Sequence, residues 1–261
     1  MKATISCFMT IAAILAGGSA SAATLSGVGT YIGNAGIGTA NGSVADSPVG
    51  SKYLYVSTAG SSATAGYGLG SETNGSEFTT LSFTANAGAM LDYFFNYVTS
   101  DGAGFSDYAY ATLNSVGSGV APVNIFNART EPSGDTVPGN GLPAIASGVT
   151  LTPSTSAITG GAPIWTELGS SIGSCFDAGC GYTGWIKSSY IIPTSGTFEF
   201  TFGVTNWSDT LFDSGLAISG LSLDGVGLPG PDVSPVPLPA AAWMLLAAMG
   251  GLFGLRRSKS A

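Results

Sequence analysis

Apolar and polar residues alternate with a period of two over much of the chain, the spacing of strands that bury one face. Leu81, Phe83 and Ala85 alternate with Thr80, Ser82 and Thr84. Over 89–100, Leu91, Tyr93, Phe95 and Tyr97 fall on one side and Asp92, Phe94, Asn96 and Val98 on the other. Both faces are largely apolar, which predicts a central strand. The Gly-rich turn 101–104 leads into 107–116, with Tyr108 and Tyr110 on one face and Ala109, Ala111 and Leu113 on the other, so the two strands are expected to form a hairpin. Residues 120–127 and 185–192 read as further strands. Over 196–205, Phe198, Phe200, Phe202 and Val204 face inward while Thr197, Glu199 and Thr201 face outward. The last strand, 216–223, changes phase between Ile218 and Leu221, which predicts a bulge at Ser219 and Gly220.

Weaker signals place strands at 29–32 and 52–58. The stretch 131–163, rich in Pro, Gly, Ser and Thr, reads as a loop with one strand at 144–151; a loop of that length inside a compact domain is a functional flap or a poorly ordered insertion. Eight to ten strands, no helix between the two terminal segments and no internal repeat predict an all-β chain, an antiparallel β-sandwich or jelly roll.

The two ends follow other rules. Lys2, the apolar stretch 11–15 and Ala20-Ser21-Ala22 form a secretory signal peptide, expected to be cut after Ala22 by signal peptidase. Near the C-terminus, Val236, Pro237, Leu238, Pro239 and Ala240 precede a run, 240–255, that carries no charge and then meets Arg256, Arg257 and Lys259. Prolines cannot sit inside a helix, so a membrane helix should begin near Ala240, with the basic residues holding its end inside. Sixteen residues rise about 24 Å, short of a hydrocarbon core of about 30 Å. The expected layout is a signal peptide at 1–22, an ectodomain at 23–230, a linker at 231–235 and a C-terminal segment at 236–261, with the ectodomain outside the cytoplasm.

The tail 236–259 resembles the VPLPA form of the PEP-CTERM sorting signals, in which a short proline motif, a brief hydrophobic helix and a basic cluster are read by an exosortase. The resemblance implies that the protein is anchored through this helix, then cut or exchanged on the way to the cell surface, in bacteria that make exopolysaccharide. The plain alternative is a C-terminal anchor that is never cut. Two ectodomain blocks, 91–102 and 202–209 continuing at 213–217, are similar to a family of exported β-sandwich ectodomains found ahead of such tails. That family has no assigned activity.

Composition narrows the function classes. Outside the terminal segments only Lys52, Arg129 and Lys187 oppose fifteen acids, a net charge of −12. Such a surface repels nucleic acid and anionic lipid and favours cations or neutral glycans. The chain contains no His, which removes the usual general base, the usual metal ligand and every Ser-His or Cys-His nucleophile. Forty Gly and 8 % charged residues suit an exported β protein with tight turns. Cys7 should leave with the signal peptide, so Cys175 and Cys180 are expected to pair in an oxidising compartment. Two thiols alone are too few ligands for zinc.

Candidate sites follow from loop residues. Asp101 and Asp107 flank one turn, and Asn206, Asp209 and Asp213 surround another; if the loops converge they offer hard oxygens for Ca²⁺, the one cofactor considered. Asp and Asn are also ordinary turn residues, and the spacing matches no complete calcium loop. Trp165, Trp185 and Trp207, with Tyr182 and Tyr190, could stack on sugar rings, although aromatics on a sandwich are more often core; Trp207 is the candidate glycan contact. Glu167 and Glu199 are the best carboxylates for a glycosidase, and Lys187-Ser188-Ser189 carries little as a Ser-Lys nucleophile. The expectation is a non-catalytic cell-surface or extracellular-matrix protein associated with exopolysaccharide. The alternatives are a secreted carbohydrate-active hydrolase and an ice-binding or adhesin-type surface protein, the last without a regular Thr-x-Thr ladder.

Overall fold

A computed structural model describes residues 22–230. The segments expected to form the signal peptide, the linker, the sorting motif, the hydrophobic helix and the basic end lie outside the described residues, apart from Ala22. Among the described residues no helix is long and apolar enough to cross a membrane.

The chain is all-β, with its strands paired antiparallel in two main sheets. The first sheet runs, in spatial order, Ala23–Leu25, Gly29–Ile32, Glu72–Thr80, Gly196–Trp207, Tyr108–Ser115 and Val123–Arg129, with Phe83–Ala85 beside the start of Gly196–Trp207. The second runs Val149–Thr152, Ile186–Ile191, Met90–Thr99, Ser214–Leu223, Tyr53–Ser57 and Asn34–Gly38. The sheets face each other across one core. The inward phase of the first supplies Phe78, Ala109, Leu113, Phe198, Phe200 and Phe202; that of the second supplies Leu54, Val56, Leu91, Tyr93, Phe95, Leu216 and Ile218. Tyr93 packs edge-on against Phe200 and Phe202 across the gap, with ring centroids 5.0 and 5.6 Å apart. Each of the larger apolar side chains buried here contributes about 1.5–3 kcal/mol.

The central strand Met90–Thr99 lies between Ile186–Ile191 and Ser214–Leu223, with apolar residues on both faces. Its outer face is covered too: Trp165, Leu168, Val44 and Tyr53 pack there over Val98 and Ala217. Trp165 is held by the indole N–H donating to Tyr53 Oη at 2.9 Å, and the 3₁₀ helix Thr166–Ser171 follows it. Gly215 makes room for that indole, since a Cβ at 215 would lie 2.4 Å from the Trp165 ring. The bulge expected in the last strand is present, as a register shift between Ser219 and Ser222.

Three expectations change. Strands Met90–Thr99 and Tyr108–Ser115 are not a hairpin: they belong to different sheets, and the intervening residues cross from one layer to the other. The alternation around Leu81 divides into a long strand, Glu72–Thr80, and a short one, Phe83–Ala85, with Leu81 exposed between them. The stretch 131–163 is folded onto the body, with Asp135–Val137 pairing Ser156–Ala157 and Val149–Thr152 extending the second sheet, and Thr136 and Val137 fully buried.

Candidate functional site

Following the inward phase toward one end of the sandwich, the residues turn from apolar to polar. Past Val204 the next inward position is Asn206, past Tyr97 it is Thr99, and ahead of Ala109 it is Asp107; Ser214 precedes Leu216 in the same phase. All four are fully or almost fully buried, and so are Asp101 and Thr130. The pairing of Thr205 with Tyr108 sets Asn206 opposite Asp107, and that of Ser214 with Thr99 brings the second sheet's residues to the same level.

The layer is hydrogen-bonded. Ser214 Oγ lies 2.7 Å from Asp107 Oδ2 and 2.8 Å from Thr99 Oγ1. Trp207 N–H donates to Asp107 Oδ1 at 2.8 Å, and the Tyr97 hydroxyl donates to the Asp107 carbonyl at 3.0 Å. Asp101 N–H donates to Thr99 Oγ1 at 3.1 Å, and Asp101 Oδ1 accepts from Gly102 N–H at 2.7 Å. Two oxygens are left over: Asp101 Oδ2 and Asn206 Oδ1 are buried without a partner. Orphaned buried polar atoms are rare, because each costs about 1–3 kcal/mol.

The acids here repel one another. Burial pushes the Asp101 carboxyl up to about 7, the Gly102 N–H opposing and the Asp209 charge adding to the rise. Burial likewise raises Asp107 well above the usual carboxylate range, with Asp101 and Asp209 adding to the shift. Arg129, the nearby cation, stays on the outer face of the sheet: its guanidinium lies 4.6 Å over the Trp207 ring and donates to the Ser106 and Asn140 carbonyls.

The disulfide loop covers this end. Cys175 and Cys180 are bonded, as expected, with Cα atoms 5.6 Å apart. Phe176 N–H donates to the Ser100 carbonyl at 3.0 Å and Ala103 N–H to the Ala178 carbonyl at 2.9 Å. Gly102 permits the contact, since a Cβ there would sit 2.6 Å from the Asp177 backbone. Phe176 also joins Phe105 and Phe212 in a cluster of rings over the same end. Asp209, half-buried, sits at the rim in a turn whose Ser208 and Phe212 hold the left-handed conformation, at φ 74° and 54°.

Of the four acids considered for Ca²⁺, Asp101 and Asp107 lie in the buried layer, Asp209 stands at its rim, where its charge bears on both, and Asp213 does not share their site. Its carboxylate accepts from Thr58 Oγ1 at 3.0 Å and Ser171 Oγ at 2.9 Å and faces a separate polar hollow with Tyr55 and Glu167. Among the described residues no three acidic or cysteine side chains form a group able to hold a metal by themselves; the oxygens at this end mix carboxylate with the amide of Asn206. The calcium reading from sequence places Asn206 at the turn but gives it no inward role. The signal that would do so is its phase behind Phe198, Phe200, Phe202 and Val204.

The other candidates separate. Trp165 is fully buried, Trp185 donates its indole N–H to the Ala45 carbonyl, and Tyr190 is buried, so the tryptophans form no common platform. Trp207 is half-buried on the outer face, against Tyr108, with one ring face under Arg129. Glu199 points outward from the first sheet, while Glu167 lies over the outer face of the second. Sheets pack about 10 Å apart, so these two carboxylates cannot flank one glycosidic bond as an acid and base must. Lys187 is paired with Asp92 at 3.1 Å, and Ser188 is buried with its hydroxyl on the Ile125 carbonyl, which leaves no Ser-Lys nucleophile there.

Comparison of the chain with protein-family models, with curated proteins and with solved structures found no match.

Proposed function

We propose that this chain is an exported cell-surface or extracellular-matrix protein, sorted through its tail by an exosortase-type enzyme and associated with exopolysaccharide without catalysis. The observation that carries the reading is the order of features at 236–259: proline motif, short uncharged run, then Arg256, Arg257 and Lys259. An amino-terminal signal peptide ahead of it requires the intervening residues to face outward. The all-β architecture, the Cys175–Cys180 disulfide and the acidic, His-free composition agree with an oxidising exterior. Exopolysaccharide is the partner suggested by the company such tails keep, and a net charge of −12 outside the two terminal segments directs the protein to a neutral glycan or to one bridged by cations.

The intact mass of protein released from the cell surface tests the sorting step. Loss of the residues after the proline motif is expected, whereas a mass that retains 240–261 would sink it. Co-sedimentation with the host's own exopolysaccharide, without release of reducing ends, is the expected behaviour of the ectodomain. Reducing ends would place the protein among hydrolases.

A further inference from the structure

We propose that the polar end of the sandwich is a calcium site, with Asp101, Asp107 and Asn206 as inner oxygen ligands and Asp209 at its entrance. The two orphaned oxygens, Asp101 Oδ2 and Asn206 Oδ1, belong to side chains 1 % and 0 % exposed. They lie at the same end as a second buried carboxylate, Asp107, whose oxygens each accept a single hydrogen bond and keep a lone pair. Carboxylate and amide oxygens without nitrogen or sulfur are the hard donor set that Ca²⁺ takes, six to eight of them at about 2.3–2.6 Å, with backbone carbonyls and water completing the shell. Mg²⁺ demands a tighter octahedron and keeps several of its own waters, so it is less suited to a set of buried protein oxygens.

Electrostatics point the same way. The charge of Asp209 bears on Asp101, and those of Asp101 and Asp209 bear on Asp107, so the charges acting at this end are all negative. A divalent ion would offset these charges and supply the missing partner for both orphaned oxygens. The other ionisable groups packed around the layer are Tyr97, whose hydroxyl bonds the Asp107 carbonyl; Asp177 in the disulfide loop; Asp213, turned to Thr58 and Ser171; and Arg129, on the far face of the sheet. None of them offsets the inner charge.

The test uses the full chain, stripped with chelator, with CaCl₂ or MgCl₂ added at pH 8. Ca²⁺ at a hundredfold excess over Kd is expected to raise the melting temperature by roughly 5–10 °C at pH 8, with little rise from Mg²⁺. Asp101→Asn and Asn206→Ala should abolish the rise, and the exposed control Asp46→Asn should keep it. Asn206→Asp adds a charged oxygen and should bind Ca²⁺ more tightly, a gain that misfolding cannot imitate. Luminescence of bound Tb³⁺ excited through tryptophan should fall in Trp207→Phe while the calcium response remains. The proposal is overturned if 10 mM Ca²⁺ neither shifts melting nor gives heat at pH 8, which would leave protons and water as the occupants. It is equally overturned if Asp101→Asn responds as the parent does.

Discussion

At one end of the sandwich the inward positions run from Val204 to Asn206, from Tyr97 to Thr99 and from Ala109 back to Asp107, and the layer is tied together by named hydrogen bonds. Toward the other end the same two sheets part over a cavity of about 370 Å³ lined by Val28, Leu54, Phe78, Phe202, Ile218 and Leu228. The same strands thus feed two kinds of interior. Apolar burial is non-directional and indifferent to pH. The polar layer depends on direction and on ionisation, and one wrong proton there leaves a charge without water.

Truncating the apolar core should have the largest effect. Phe200→Ala removes a fully buried ring that meets Tyr93 and Phe202 and is expected to cost about 3–5 kcal/mol in urea unfolding. The loss should be equal at pH 5 and pH 8; a loss that changes with pH would tie the two interiors together. The polar end makes the next largest difference. Asp101 and Asp107 bind protons more tightly folded than unfolded, so their contribution is fully present below about pH 4 and is lost as pH rises through the folded values, about 7 for Asp101. Chelator-treated protein should therefore unfold more easily at pH 8 than at pH 5, with a slope of at most about 1.4 kcal/mol per pH unit for each group. Asp107→Asn should flatten that slope, and an unchanged slope would remove the asymmetry between the ends.

Gly102→Ala probes how the polar end is closed. Its Cβ would meet the Asp177 backbone at 2.6 Å, and backbone cannot swing aside as a side chain can. A cost of about 1–3 kcal/mol is expected, together with faster amide exchange at Phe176 and Ala103, the donors that hold the disulfide loop to residues 100–103. Unchanged exchange would mean that the loop does not depend on this contact.

Much of the fold is legible in the sequence because alternation reports which face of a strand is buried. Phe198 to Val204 inward, Glu199 outward, the two apolar faces of Met90–Thr99 and the bulge after Ser219 all follow from phase. Phase does not name a partner. The turn after Thr99 reads as a hairpin because the sequence of a two-strand reversal and that of a crossover between sheets differ little. The same limit hides the roles of Trp165 and Gly215, which are far apart in the chain and meet in the fold, and of 131–163, whose Pro- and Gly-rich composition conceals short strands. For the site, the acids are visible as turn residues, and Asp213 groups with them by proximity in sequence. Its carboxylate points instead to Thr58 and Ser171, a direction set by segments remote in the chain.

The smallest effect belongs to the ion pair on the apolar half. Lys187 Nζ lies 3.1 Å from Asp92 Oδ1, with the side chains 37 % and 19 % exposed. Solvent reaches both, so the Coulomb attraction is screened and is partly cancelled by the entropy of holding a long side chain still. Removing the lysine also leaves Asp92 with a partner, because the Ser189 hydroxyl donates to the same oxygen. Lys187→Met is therefore expected to cost about 0.2–1 kcal/mol at low salt and nothing measurable at about 1 M NaCl. Asp92 differs from Asp101 in this respect: its charge has a cation, a hydroxyl and water, whereas Asp101 Oδ2 has none of them among the described residues. A loss above about 2 kcal/mol that persists in salt would exceed what a solvated pair supplies and show that this half also depends on a buried charge, and the contrast between the two ends would fail.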